Sequence, residues 1–255
     1  MINLMKTEMY KLIRNKTFWV LIVSFTGLSV LLHCLILTDW WFMSGTEFDE
    51  AGLSELNALS PFKTLLFFNL IVSTLAGYYI STEFSQSNVI KNQMMSGNKR
   101  TTILMSKYLT FSFGSWIVVI MIPLATALIV VHLLGFGDIF TLATIIYLGR
   151  AYSLFILHFL SFTAIVLLIA IVTEDSGKTI IFTLLLSIMM FVIEKFSTLP
   201  FINKMYEHTF FYQLNEAFKV SITSGEMIKS ILIGIVSLGI VMLCGIFIIN
   251  RKEIK

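Results

Sequence analysis

The chain alternates long apolar runs with polar segments, and most of the runs are about twenty residues or longer. Phe18–Leu37, Phe62–Ile80 and Tyr108–Leu133 are three such runs, the second with Lys63 at its edge. A fourth lies within Leu142–Val172, which is too long for one straight span and carries Arg150 near its start, so the span is placed at about 150–172. Thr179–Ile193 is a short fifth and Ile231–Ile249 the sixth. A helix rising 1.5 Å per residue needs about twenty apolar residues to cross the hydrocarbon core. Lipid offers nothing to an unpaired backbone group, so each run is expected to be helical. Pro123 inside the third run predicts a kink.

The segment before the first run has a different period. Ile2, Met5, Met9 and Leu12 recur at helical spacing, with Lys6, Lys11 and Arg14 elsewhere. This predicts an amphipathic helix over residues 1–16, suited to a membrane surface. The first run is too long for a signal peptide, and Trp40-Trp41 after it suits an interfacial anchor better than a cleavage site.

Composition agrees. Hydrophobic residues are 57% of the 255 and charged residues 13%, against roughly 45–50% and 25% in an ordinary globular chain. The mean hydropathy is +0.88. A net charge of +3 without a basic tract gives little phosphate-binding surface and argues against a nucleic-acid partner. Cys34 is expected near the outer end of the first run and Cys244 near the inner end of the sixth, too far apart to bridge.

Charge sets the expected orientation. Residues 1–17, 81–107, Lys178 and the tail hold twelve of the eighteen Lys and Arg residues. The stretch Thr38–Ser60 has none but carries Asp39, Glu47, Asp49, Glu50 and Glu55. The bias places both termini in the cytoplasm.

Catalytic motifs do not survive inspection. Ser176-Gly177-Lys178-Thr179 resembles the end of a phosphate-binding loop, but Val172 stands where its first glycine belongs. Glu207-His208 lacks the spacing of a zinc helix, and Glu174-Asp175 reads as a solvated turn. Among ionisable groups inside runs, His33 and His132 sit near ends. His158 is mid-run without an acidic partner, which favours an ordinary interhelical hydrogen bond over a proton path. Glu194-Lys195 can snorkel outward.

The segment from Ser81 to Lys107 is longer than a connector requires and shows both charge signs, which suits a docking surface. With Glu8-x-x-Lys11-Leu12 before the first run, Glu83-Phe84, Val89-Ile90-Lys91-Asn92, Ser96-Gly97-x-Lys99-Arg100 and the closing Asn250-Arg251-Lys252-Glu253-Ile254, the chain resembles the ABC-2 type permeases. It looks most similar to the small permeases of bacteriocin, lantibiotic-immunity, bacitracin-resistance and phenol-soluble modulin exporters.

The resemblance implies one all-α transmembrane domain over residues 1–255, in the bacterial cytoplasmic membrane. Residues 1–16 would be a connecting helix and Glu83–Lys99 a coupling helix, with Glu83, Phe84, Lys91, Lys99 and Arg100 touching a cytoplasmic ATPase dimer. That partner, not this chain, would bind ATP and Mg. A second permease, identical or a close paralogue, would pair with it, the second and fifth spans nearest the axis. Thr198–Met227 would include short re-entrant outer helices, in keeping with the apolar stripe Phe211, Leu214, Phe218, Ile222. Phe67, Phe68, Asn69, Phe182, Met189 and Met190 would line a path suited to an amphipathic or hydrophobic cargo, a membrane-active peptide first, with a hydrophobic drug or lipid-linked substrate as the alternative. A membrane scaffold or sensor is the rival from outside transport, and it has no need of a coupling surface.

Overall fold

The computed structural model describes residues 1–196 and 200–252, and among these six helices are long and apolar enough to cross a membrane. They are Lys16–Leu37, Leu65–Ser85, Arg100–Leu133, Leu142–Thr173, Ser176–Lys195 and Ser224–Arg251, the first to sixth spans below. The end of the bundle that holds Ile2–Arg14 and the close of the sixth span is the basic end; the other, carrying Thr38–Ser60, is the acidic end. The chain is an all-α polytopic membrane protein.

The N-terminal helix Ile2–Arg14 packs against the third span through Leu4, Glu8 and Leu12. The expected stripe is thus rotated: Ile2 is 71% exposed, and Met5 and Met9 lie at the margin. Hydrophobic periodicity could not place Glu8 inward, because that burial rests on charge pairing. The close approach needs Gly114: a Cβ there would lie 2.8 Å from Leu12 Cδ2. Asn15, extended at ψ 119°, breaks the chain, and its Oδ1 accepts the Thr17 N–H at 2.9 Å to start the first span.

The second span begins at Leu65, not Phe62. Ser60–Lys63 forms a separate turn of helix and Thr64 is extended at ψ 135°, which lets Lys63 pair with Glu47 of the acidic loop. The same span runs on past Ile80 to Ser85 through a widened turn, Ala76–Ser81. The third span starts at Arg100 and carries a similar widened turn at Ile117–Met121. Pro123 follows it; lacking an N–H and crowding the preceding carbonyls, the ring disfavours a regular ladder there.

The fourth span is one continuous helix of 32 residues, about 48 Å long at 1.5 Å per residue. It ends where Glu174 adopts a left-handed φ of 51°. With the second span it forms the core. The Phe68 ring meets Phe155, Phe159 and Phe162 edge-on at centroid distances of 5.8, 5.7 and 5.1 Å. Phe218 continues the column at 5.5 Å from Phe155, arriving from the short helix Phe210–Glu216. The expected stripe of Phe211, Leu214 and Phe218 is buried there, while Thr198, Glu253 and Ile254 lie outside the described residues.

The first, fifth and sixth spans are peripheral and largely exposed. His158 Nε2 lies 2.9 Å from Ser230 Oγ, an interhelical hydrogen bond between the fourth and sixth spans.

Candidate functional site

Four segments converge at the basic end on one buried carboxylate, Glu8. Its N-terminal helix presents it beside Lys107 of the third span, whose Nζ lies 3.0 Å from Glu8 Oε2. Both side chains are fully buried. Lys107 also pairs with Glu83 at the end of the second span. Lys11, one turn on from Glu8, bridges the two acids at 3.0 Å from Glu8 Oε1 and 2.9 Å from Glu83 Oε1. Two carboxylates and two ammonium groups therefore alternate, and their formal charges cancel.

Neutral donors complete the shell. Tyr79 Oη, on the widened turn of the second span, donates to Glu8 Oε2 at 3.0 Å. Gln93 Nε2 donates to Glu8 Oε1 at 2.7 Å from the helix Ser87–Met95, which links the second and third spans. Burial alone would raise the Glu8 pKa, but Lys107 and Lys11 outweigh it by charge and hydrogen bonding and hold it at about 2. Burial pulls Lys11 down, and Glu83 and Glu8 more than reverse this, raising its pKa.

Such a cluster is well suited to transmission. Each member is satisfied only while the N-terminal helix, the second and third spans and Ser87–Met95 keep their positions, since an unpaired buried charge is costly. Among the described residues no His, Cys, Asp and Glu side chains group as a metal-binding set.

The residues expected to face an ATPase divide. Glu83 is in the buried network. Phe84 is 5% exposed, with the Lys252 ammonium 5.5 Å from its ring centroid. Arg100 Nη1 reaches the carbonyls of Ile249, Asn250 and Lys252 at 2.9, 3.0 and 2.7 Å, tying the third span to the end of the sixth. These three are therefore internal anchors, because each finds a counter-charge, a cation or free helix-end carbonyls within its own chain. Lys91 and Lys99 are exposed. The expected helix Glu83–Lys99 is also divided: Glu83 closes the second span, Ser87–Met95 is separate, and Gly97 turns the chain at φ 84°.

The residues expected along a path lie on two spans that pack against each other, but in different surroundings. Phe67 packs on Phe25 and Phe62 at 5.7 and 5.2 Å, Phe68 is in the core, and Asn69 is buried with neither side-chain polar atom bonded. Phe182 and Met189 lie exposed on the fifth span, and Met190 is partly buried. Where the second and fifth spans meet, the bonding groups are small and polar. Ser81 Oγ lies 2.7 Å from Thr179 Oγ1, and Ser176 Oγ donates to the Gly77 carbonyl at 2.8 Å. Sequence reasoning passed over this seam and the roles of Tyr79, Gln93 and Lys107. A readable signal existed in the spacing of four through Asn69, Ser73, Gly77 and Ser81, and through Thr179, Thr183 and Ser187.

Residues 4–193 match the family model described as ABC-2 family transporter protein, and the matched stretch contains every charged member of the network. The chain belongs to the ABC-2 family. No curated protein and no solved structure matches it. An ABC-2 family protein is the transmembrane component of its transporter rather than the ATPase, and its family implies partnership with an ABC ATPase in a membrane. The first four spans fall inside the match, with nearly all of the N-terminal helix and the fifth span; the sixth span lies beyond it.

Proposed function

We propose that this ABC-2 family protein is the permease half of an ATP-driven exporter for membrane-active, amphipathic peptides, working in the bacterial cytoplasmic membrane. Its basic end, with both termini, faces the cytoplasm, as twelve of eighteen basic residues favour. A cytoplasmic ATPase dimer binds ATP and Mg and pushes on Ser87–Met95 through the exposed Lys91 and Lys99. A second permease completes the path.

The observation that carries the reading is the bond from Gln93 to Glu8. Through it, a displacement of Ser87–Met95 is felt at Lys107 and Glu83, and so by two spans and the N-terminal helix. A plain scaffold has no use for a connecting loop wired in this way. For the cargo, the support is the apolar, charge-poor character of the fifth span, with Phe182, Leu185 and Met189 exposed. A compact charged solute finds no partner on that surface, whereas an amphipathic chain keeps its polar side to water.

Deleting the gene and challenging cells with amphipathic peptides and with small hydrophilic solutes tests this. The expected result is lost tolerance or secretion of peptide alone. Unchanged peptide handling with a defect for a hydrophilic solute overturns the cargo.

A further inference from the structure

At the acidic end the first span leaves the bundle and turns into a cleft of about 360 Å³. Its apolar side is made by Trp41, Phe42 and Phe136, its acidic side by Asp39, Asp49 and Glu55. No Lys or Arg lines it, and none occurs anywhere in Thr38–Ser60 or in residues 134–141 of the facing loop. Lys63, the first basic residue after this stretch, is paired with Glu47.

The three acids are not equivalent. Asp49 is occupied, accepting from the Asn57 amide at 2.6 Å and the Thr46 N–H at 3.3 Å. Glu55 is not: its Oε2 is shielded from solvent and has no hydrogen-bond partner. A desolvated carboxylate oxygen without a donor is unfavourable until one arrives. The acids also fail to converge as a metal-binding group. Separate negative charges along an apolar cleft suit several positive charges on an extended ligand better than one compact ion. Trp41 and Phe42 are 54% and 83% exposed, and aromatic side chains of this kind sit at the headgroup level of a bilayer, where such a ligand would be met.

We propose that this cleft is an outer-face recognition site for cationic amphipathic peptides, which place lysine or arginine side chains against Asp39 and Glu55 and apolar side chains against Trp41, Phe42 and Phe136. Aromatic faces add attraction for the same cations. The choice of a peptide ligand rests on the export reading above, but the site is defined by equilibrium binding, which needs neither ATP nor the ATPase.

The full chain in nanodiscs of zwitterionic lipid is titrated with an amphipathic Leu/Lys peptide and with its Leu/Glu twin, with binding to empty nanodiscs subtracted. The Leu/Lys peptide is expected to bind more tightly, with an affinity that falls as salt rises. The double variant Asp39→Asn, Glu55→Gln, close in shape to the original, is expected to weaken it roughly tenfold. Trp41→Ala is expected to weaken both peptides. Equal binding of the twins, or binding of the Leu/Lys peptide that survives the double substitution, overturns the site. The export reading fails by a different result, peptide bound at the cleft but not moved by ATP in proteoliposomes containing both subunits.

Discussion

Lys107 Nζ lies 3.0 Å from Glu8 Oε2, across 99 residues of sequence, and neither side chain reaches solvent. The pair joins a helix that does not cross the membrane to one that does. Tyr79, Glu83 and Gln93 close around it, so the basic end of this ABC-2 family protein is organised about one ionic centre.

The charges of this centre should prove coupled. Lys107→Met leaves Glu8 and Glu83 together with only Lys11 between them, and an uncompensated buried charge costs about 3–5 kcal/mol. Glu8→Gln with Lys107→Met should cost less than the sum of the two single changes. Thermal unfolding in detergent, analysed as a double-mutant cycle, measures the difference. Additive losses would show that the two side chains do not interact.

Acid should loosen the same centre. The Glu8 carboxyl, ordinarily 4.5, is held at about 2. A depressed pKa contributes stability that is present above the unfolded value and is lost as pH falls from about 5 towards 2. Lys11 acts on the opposite limb: its raised pKa contributes stability that is complete below 10.5 and lost as pH rises past the folded value. Glu8→Gln should flatten the acid limb of a stability-pH curve; an unaltered limb would assign it to other groups.

Coupling and docking should separate genetically. Gln93→Leu cuts the bond between Ser87–Met95 and Glu8 while leaving the exposed Lys91 and Lys99 in place. ATPase binding should persist while cargo-stimulated hydrolysis falls about tenfold or more, in line with the roughly 1.5–3 kcal/mol of a hydrogen bond to a charged group. Lys91→Glu with Lys99→Glu should instead weaken ATPase binding itself, read by co-purification. Identical phenotypes from the two variants would refute the division.

Packing of the N-terminal helix should depend on Gly114. Gly114→Val forces atoms into the space of Leu12, whose Cδ2 would be 2.8 Å from the new Cβ. Overpacking of this sort costs about 1–3 kcal/mol. Adding Leu12→Ala should return part of it, seen as a recovered melting temperature. No recovery would place the strain elsewhere.

The spans were legible because the length of an apolar run reports bilayer thickness directly, and the helical N-terminal segment because its period is 3–4. The second span starts later than its hydropathy suggests, since Phe62 is apolar but Thr64 is extended and Lys63 is claimed by Glu47. Lys107 read as one more basic flank; its pairing with Glu8 depends on the third span beginning at Arg100, a helix boundary that local pattern places poorly. Glu83, Phe84 and Arg100 stand out in the sequence as residues of consequence, but their intrachain partners do not, because a charged residue in a loop and one folded back on its own helix ends have the same sequence.

The fourth span is anchored at both ends. Near its start Arg150 donates to the carbonyls of Lys219 and Val220; past its end Glu174 pairs with Lys252 at 2.6 Å. An unbroken helix of about 48 Å held in this fashion is a lever arm. Rocking it by about five degrees about one end carries the other roughly 4 Å, the width of a strand of polypeptide backbone. A tilt of that size would be felt at the short helix Phe210–Glu216, which packs on this span, with no span needing to unwind.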